Sequence, residues 1–80
     1  MEEKISAFIS LTTEHMQPEE IQDIIIKEVN PEETYFVTGD YDYVMKVNVS
    51  DMDQLRGLVS KLRDFKWVKK TNTSIILKKL

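Results

Sequence analysis

The sequence predicts an α+β fold in which four antiparallel strands and two helices follow the order βαββαβ. Three observations predict it: apolar residues alternate with polar ones over residues 5–12 and 41–49, they recur at helical spacing over 18–29 and 52–62, and a Gly-Asp pair separates two β-prone runs. Right-handed crossovers then place both helices on one face of a four-stranded antiparallel sheet. We find no linker or repeat, so residues 1–80 are expected to form a single domain.

The small size of the chain limits its core. An 80-residue chain seldom gains more than about 3–5 kcal/mol from its core alone. The sequence contains no cysteine, which excludes disulfides, thiolate metal sites and cysteine nucleophiles. Because His15 is the single histidine, a zinc site is not expected, and no cofactor is implied. Self-association is therefore the leading expected source of additional stability.

The charge balance is acidic. A formal net charge of −3 argues against direct nucleic-acid binding, which depends on a basic patch that offsets phosphates. Lysines do cluster late in the sequence, and a solvated edge strand protected by them is favoured over a phosphate site. These lysines are Lys66, Lys69, Lys70, Lys78 and Lys79.

Hydropathy indicates no membrane segment. No apolar run approaches the length of a membrane span, and the first residues lack the basic and apolar regions of a secretory signal. The absence of cysteine is compatible with a reducing compartment. A soluble, cytoplasmic protein is therefore expected.

The first strand is predicted over residues 5–12, where the odd positions form one strongly apolar face. The first helix is predicted to begin at Pro18, because proline is tolerated in the first turn of a helix. It is predicted to end near Val29, since Pro31 disfavours helical geometry at the residue before it.

The isoleucine run 24–26 leaves alternatives open. Ile24 and Ile26 lie on opposite flanks of the helical stripe, so one core face does not cover both. One of them contacts a neighbouring subunit or is simply exposed. A strand in place of the helix is also compatible with three β-branched residues in a row.

Residues 34–38 and 41–49 are predicted to form a tight β-hairpin. Gly39 suits the first central position of a type II′ turn because it adopts positive φ without steric cost, and Asp40 follows it. Asp42 lies just past this turn. A carboxylate beside turn N–H groups can hold a small zwitterion, since the N–H groups suit its carboxylate and Asp42 suits its ammonium group.

A second helix and a last strand complete the predicted fold. Ser50 is expected to cap the helix, whose apolar stripe runs from Met52 to Leu62. Residues 67–77 indicate the last strand, although its middle, residues 71–74, is unusually polar.

The sheet face opposite the helices, which we call the open face, is expected to be uncovered in a monomer. Phe8, Phe36 and Val44 are predicted to point from it, and contiguous exposed apolar patches typically mark contacts. Two such sheets stacked face to face in a twofold dimer would bury the patch.

Two segments resemble a known family. The hairpin reads Val-Thr-Gly-Asp-Tyr-Asp-Tyr-Val-Met-Lys-Val at 37–47, and the last strand reads Trp-Val-Lys-Lys-Thr-Asn-Thr-Ser-Ile-Ile-Leu at 67–77. In this order they resemble the ligand-binding domain of the Lrp/AsnC transcription regulators, also called the RAM domain. The first strand and the Pro-Glu-Glu helix also fit, so the resemblance spans nearly the whole chain.

The resemblance implies a ferredoxin-like sandwich that dimerises through its sheet as an α/β barrel, with dimers that assemble further, commonly into octamers. It also implies that amino acids bind at the interfaces between dimers, near the hairpin turn. Turn N–H groups or threonine hydroxyls would take the ligand carboxylate, and Asp42 or a backbone carbonyl would take the ammonium group. By matching positions, the implied binding residues are Gly39, Asp40, Tyr41 and Asp42, with Thr71 and Thr73 beside them.

One part of the family pattern is absent from this sequence. Regulators of the family place a helix-turn-helix domain before this one, whereas only residues 1–4 precede the predicted first strand. The chain is therefore expected to be a stand-alone member or an excised fragment, and DNA binding is not inferred for it. Co-assembly with full-length Lrp/AsnC regulators is a hypothesis that the resemblance suggests.

Ordinary structural roles compete with these assignments. From the residues alone, Asp42 is more often a solvated or hairpin-stabilising carboxylate than a ligand contact, and the family resemblance reverses that order. Thr71 and Thr73 are β-branched residues that fit any strand. Tyr41, Tyr43 and Met45 recur at a period of two, which is more typical of a core face than of a binding platform.

Three functions remain open on this reading. They are an amino-acid-sensing module that also oligomerises, a structural assembly domain with an empty pocket, and a small enzyme of the dimeric α/β-barrel type. The enzyme is disfavoured because the sequence offers no nucleophile–base pair and its lone histidine falls in a predicted loop.

Overall fold

The computed structural model describes residues 4–14 and 17–80, and its elements follow the predicted order. Its strands form one antiparallel sheet in the order β2-β3-β1-β4, so β2 and β4 are the two edges. The predicted βαββαβ sandwich is confirmed, while the predicted His15 loop lies outside the described residues. The elements are β1 (Ile5–Thr13), α1 (Pro18–Glu28), β2 (Glu33–Phe36), β3 (Tyr43–Val49), α2 (Met52–Asp64) and β4 (Val68–Ile75).

The core lies between the sheet and the helices. Alternate residues of β1 and β3 point into it, which is why the period of two predicted these strands well. Burial raises the pKa of Tyr43, which lies at the end of this core. The buried apolar residues are Ala7, Ile9, Leu11, Ile21, Ile25, Tyr43, Met45, Val47, Val49, Leu55 and Leu62.

The isoleucine run lies in α1, so the strand alternative is wrong. Ile25 is fully buried, Ile24 is half-buried, and Ile26 is 52% exposed. The helix ends with Asn30 in the left-handed conformation (φ 52°), where its N–H donates to the Ile25 carbonyl oxygen at 3.0 Å. A left-handed residue just past the end is a common way to satisfy the last helical carbonyls.

The cap of α2 differs from the prediction by one residue. Asp51, not Ser50, is the N-cap, and its carboxylate accepts a hydrogen bond from the Gln54 N–H at 2.8 Å. The Ser50 N–H donates in turn to the Gln54 side chain at 2.7 Å. This reciprocal pair resembles a capping box, and it explains why the charged Asp51 takes the capping position.

The hairpin strands are shorter than predicted. They span Glu33–Phe36 and Tyr43–Val49 instead of 34–38 and 41–49, and the tight two-residue turn is not formed. The register still centres the connection on Gly39 and Asp40, as predicted, because Phe36 pairs with Tyr43.

Asp42 is the reason that β3 starts late. Its carbonyl accepts from the Val37 N–H at 2.8 Å, while its own N–H donates to the Leu11 carbonyl at 2.8 Å. Asp42 is thus held between the loop and β1. The last strand is also shorter than predicted, since β4 spans Val68–Ile75 and not residues 67–77.

Phe36 does not lie on the open face, so that prediction is wrong. It pairs with the core residue Tyr43, and the two rings stack at a centroid distance of 5.0 Å. Directly paired residues of an antiparallel sheet share a face, so Phe36 lies on the helix side. The neighbouring Tyr35, opposite Val44, takes its place on the open face.

The open face combines a small apolar strip with a polar network. Phe8 and Tyr35 are 38% and 50% exposed. Lys46 Nζ lies 3.6 Å from Glu32 Oε2, and the Asn48 amide donates to the same oxygen at 2.8 Å. That hydrogen bond and the Lys46 charge lower the pKa of Glu32. A contact on this face must therefore accommodate both apolar and charged groups.

Neither helix in the described part of the chain is long and apolar enough to cross a membrane.

Candidate functional site

The connection between β2 and β3, residues 37–42, lies at the end of the sheet where β1 finishes and β4 begins; we call it the 37–42 loop. The Thr12 hydroxyl donates to the Asp40 carbonyl at 3.2 Å, which ties the loop to the last residues of β1. Lys70 Nζ lies 5.8 Å from the centroid of the Tyr41 ring, within range of a cation–π contact. Residues of β1 and β4 thus contact this loop, which itself connects β2 to β3.

The Asp42 carboxylate is anchored to the end of β1. Its Oδ2 accepts from the Thr13 N–H at 2.9 Å and from the Thr13 hydroxyl at 3.4 Å. Both of these bonds go to the same oxygen, so within residues 4–14 and 17–80 Oδ1 has no donor. Because Asp42 is only half-buried, Oδ1 is available to a cationic group while Oδ2 fixes the side chain.

Gly39 gives the loop its shape. Its φ of +113° lies in a backbone region that residues with a side chain rarely adopt. A Cβ atom placed on Gly39 would have no heavy atom within 4 Å. The requirement for glycine is therefore one of backbone conformation and not of space. Around it, in the described residues, the N–H groups of residues 38–41 donate to no backbone carbonyl, which leaves them free to bind an anionic group.

We expect Gly39→Ala to destabilise the protein by about 1–3 kcal/mol, because alanine is strained at this φ. Urea unfolding followed by circular dichroism measures the change. Gly57→Ala is the matched control: Gly57 lies inside α2 with open space around it, and alanine there should stabilise the helix by about 1 kcal/mol. Equal stability of the Gly39→Ala variant and the native chain would show that the loop relaxes freely.

Thr71 and Thr73 lie on a different part of the structure. They pair with the core residues Leu11 and Ile9, so both point to the helix side of β4. Thr73 lines a groove between α2 and β4, and Thr71 lies beside Arg63. Two strand spacings of about 4.8 Å each separate β4 from β3. Within one chain the structure brings together Gly39, Asp40, Tyr41 and Asp42, but not the two threonines.

Three residues that the sequence did not assign to the site contact the loop. Thr12 and Thr13 hold Asp40 and Asp42, and Lys70 covers Tyr41. For Thr12 and Thr13, the sequence offered one indication, namely that two threonines adjoin each other at the end of a predicted strand. For Lys70 no such signal exists, because its position depends on how β4 pairs with β1.

A comparison with known families gives a match over nearly the whole chain. Residues 6–80 match the family model of the Lrp/AsnC ligand binding domain. Of the similar solved structures, the feast or famine regulatory protein from M. tuberculosis, complexed with L-methionine, is 28% identical, with a TM-score of 0.76 over 94% of this chain and 51% of that one. A hypothetical protein from Pyrococcus horikoshii is 25% identical, with a TM-score of 0.80 over 94% of this chain and 92% of that one.

A shorter match involves an enzyme. Homocitrate synthase from Sulfolobus acidocaldarius is 43% identical over 44 residues, which are 55% of this chain and 9% of the enzyme. The chain therefore spans about a tenth of the length of the curated relatives that it matches. Because the family match extends over residues 6–80, the chain belongs to the Lrp/AsnC ligand binding domain family.

Proposed function

We propose that this domain binds an amino acid as an effector and assembles with copies of itself, as an Lrp/AsnC-type module without a DNA-binding domain in these 80 residues. The observation that carries the proposal is the half-buried Asp42, whose Oδ2 is fixed by Thr13 beside the N–H groups of the 37–42 loop. The L-methionine complex of the M. tuberculosis regulator supports an amino acid as the ligand.

The ligand chemistry follows from the two sides of the loop. Asp42 Oδ1 takes the ammonium group, as a charge-assisted hydrogen bond. The N–H groups of residues 38–41 take the carboxylate, as successive backbone N–H groups do in anion-binding loops. A neighbouring copy contributes the wall that selects the ligand side chain. Thr71 and Thr73 of such a neighbour are candidates for that wall.

Calorimetric titration with each of the amino acids, beginning with L-methionine, tests the proposal. We expect at least one to bind in the micromolar to millimolar range, about −8 to −4 kcal/mol. If no amino acid gives heat at any protein concentration at which the chain is assembled, the effector role is wrong.

Assembly is proposed to occur through the open face. The two apolar side chains Phe8 and Tyr35 are half-exposed there, and stacking two such sheets removes them from water. The Lys46–Glu32 pair lies beside them, so correct stacking must also satisfy these charges. The dimer closes as an α/β barrel, and higher oligomers of the octamer type are built from it.

We expect Phe8→Glu to shift the protein toward monomer, because it places a charge in the centre of the apolar strip. Multi-angle light scattering reports the mass against 9.4 kDa for one chain. Gly57→Glu is the control, since Gly57 lies on the exposed side of α2 and its substitution should leave the mass unchanged. A Phe8→Glu protein with the native mass would contradict assembly through this face.

An assembly domain without a ligand is the second candidate function. The observation that favours it is that Asp42 already has a structural role, since it accepts two bonds from Thr13. In that case the 37–42 loop serves only to connect β2 to β3. The titration above separates the two functions, because only the effector module gives heat.

No catalytic role is proposed. The homocitrate synthase match covers 9% of that enzyme, so its activity does not transfer to this chain. A cytoplasmic location and co-assembly with full-length Lrp/AsnC regulators complete the proposal. Mixing the chain with such a regulator and measuring the mass of the mixture tests the co-assembly, and the absence of a mixed oligomer would count against it.

A further inference from the structure

The two sides of the 37–42 loop carry opposite charges. On the side of the loop that faces the start of α1, which we call the α1 side, Asp42, Glu14 and five uncharged residues line a hollow of about 380 Å³. On the side that faces β4, which we call the β4 side, three cations line a hollow of about 540 Å³ together with Val68 and Thr71. The three cations are Arg63, Lys69 and Lys70. A ligand at the loop therefore meets carboxylates on one side and cations on the other.

Tyr43 reflects the negative potential on the α1 side. Burial is the main cause of its raised pKa, and the charges of Asp42 and Glu19 raise that pKa further. Within the part of the chain that the structure describes, no lysine or arginine lines this hollow. The α1 side therefore suits the ammonium group of a ligand and disfavours a second anionic group.

The cations on the β4 side are not engaged by acidic residues. Among the described residues, no carboxylate oxygen lies within 4.0 Å of Arg63, Lys69 or Lys70. Residues 63–70 contain four basic residues and one acidic residue, although the whole chain has a formal net charge of −3. Because like charges that are close together repel one another, an anion bound between them lowers their electrostatic energy. The β4 side thus suits an anionic group.

Lys70 joins the β4 side to the loop. It pairs with Thr12 across the sheet, and the Thr12 hydroxyl also donates to the Asp40 carbonyl at 3.2 Å. The Lys70 ammonium group lies 5.8 Å from the centroid of the Tyr41 ring. Since a lysine ammonium group has three N–H donors, its contact with the ring leaves donors that can bind an anion.

Asp42 and Lys70 flank the end of β1 from opposite sides. Asp42 accepts from the Thr13 N–H, whereas Lys70 pairs with Thr12. Two strand spacings separate their backbones, which amounts to roughly 10 Å. The long side chain of Lys70 narrows this gap, because its ammonium group lies over Tyr41, the residue before Asp42. A molecule of amino-acid size therefore spans the distance between the two charged groups.

We propose that the effector is an acidic amino acid, glutamate or aspartate, whose side-chain carboxylate binds Lys70 while its ammonium group binds Asp42. This inference rests on the proposed function, because it specifies the ligand of the same site. Lys70 is thus the residue that determines specificity. Lys69 and Arg63 add to the positive potential around the bound carboxylate.

Each charged group of such a ligand has its own partner. The ammonium group faces Asp42 Oδ1, the α-carboxylate faces the N–H groups of residues 38–41, and the side-chain carboxylate faces Lys70. A basic side chain would bring a cation to the β4 side, where like charges oppose binding. A neutral side chain forms no charge-assisted hydrogen bond with Lys70 of the strength that a carboxylate does. The wall from a neighbouring copy then fits the length of the side chain, while Lys70 selects its charge.

Calorimetric titration with glutamate and with glutamine tests the inference, because the two ligands have nearly the same shape and differ by one charge. We expect glutamate to bind at least about tenfold more tightly, the factor that a hydrogen bond to a charged group supplies. Aspartate and asparagine provide the same comparison with a shorter side chain. A salt concentration of about 1 M should reduce the preference, since salt screens exposed charges.

Lys70→Gln removes the cation from the loop. We expect the ratio of the glutamine to the glutamate dissociation constant to fall from about ten to about one. Because both ligands share the ammonium and α-carboxylate contacts, this ratio does not respond to a general change in the loop. Lys70→Arg keeps the charge and should retain the preference for glutamate.

Lys78→Gln is the matched control. It removes the same charge from an exposed position after the end of β4, so the preference for glutamate should stay at its native value. Circular dichroism checks that each variant is folded, and all titrations use one protein concentration because assembly depends on it.

Three results would overturn the inference. One is equal affinity of the native chain for glutamate and glutamine. Another is a Lys70→Gln variant that keeps the native ratio. The third is inorganic phosphate that binds as tightly as glutamate, since phosphate has no ammonium group for Asp42 and would reveal a general anion site. The first two results leave amino-acid binding intact, whereas the absence of heat with every amino acid would overturn the proposed effector role and this inference together.

Discussion

Replacement of Ile25 with alanine is expected to destabilise the protein by about 2–5 kcal/mol, the range for deleting buried isoleucine or leucine side chains. Ile25 is fully buried in the middle of α1, in the cluster that joins both helices to the sheet. A core of this size supplies only about 3–5 kcal/mol. The variant should therefore be largely unfolded at room temperature unless assembly stabilises it.

Ile26→Ala is the matched control, because it removes the same atoms one residue further along the chain. Ile26 is 52% exposed, so its loss should cost less than about 1 kcal/mol. Urea unfolding of both variants at one protein concentration measures the difference, since self-association makes stability depend on concentration. Equal losses would mean that α1 does not present Ile25 to the core.

Replacement of Asp42 with asparagine is expected to abolish amino-acid binding while leaving the fold intact. Asparagine keeps an oxygen that accepts from the Thr13 N–H, so the 2.9 Å bond in the native chain can still form. It removes the negative charge that the ligand ammonium group needs, and charge-assisted bonds are the stronger ones. Calorimetry with the amino acid that binds the native chain measures the loss, and circular dichroism checks the fold.

Two further variants separate ligand binding from structure. Asp53→Asn removes one negative charge at an exposed position at the start of α2, outside the 37–42 loop, and it should retain the binding heat. Asp42→Ala also removes the acceptor of the Thr13 N–H and should cost about 1–3 kcal/mol of stability. Undiminished binding by Asp42→Asn would show that Asp42 has only its structural role.

The elements with one clearly buried face were predictable from the sequence. β1 alternates apolar and polar residues, and the structure buries Ala7, Ile9 and Leu11 as expected. α1 was less certain, because β-branched isoleucines suit strands as well as helices. Pro18 before the run and Pro31 after it bounded a helix in the sequence, and the structure places the helix there.

The hairpin shows where local patterns lose their predictive power. The bend at Gly39 follows from the sequence, because the residue type alone indicates positive φ. The start of β3 does not, because it depends on two hydrogen bonds to residues 29 or more positions away in the chain: the Asp42 N–H donates to the Leu11 carbonyl, and the Thr13 N–H donates to the Asp42 carboxylate. The side of the sheet on which Phe36 lies depends in turn on the register in which β2 pairs with β3.

The candidate site was predictable only in part for the same reason. Gly39, Asp40, Tyr41 and Asp42 are neighbours in the chain, so any fold keeps them together. Thr71 and Thr73 are distant in sequence, and their place depends on the pairing of β4 with β1, which puts them on the helix side of an edge strand. Lys70 reaches Tyr41 through that same pairing.

The sequence by itself determined the order of the elements, the residues of the core and the position of the loop, because these depend on local periodicity and on the preferences of proline and glycine. Only the tertiary structure decided which oxygen of Asp42 is engaged, which face Phe36 occupies and which loop residue Lys70 covers. Those features arise from pairing between strands that are far apart in the chain, and a shift of one residue in that pairing would reverse the face of every side chain.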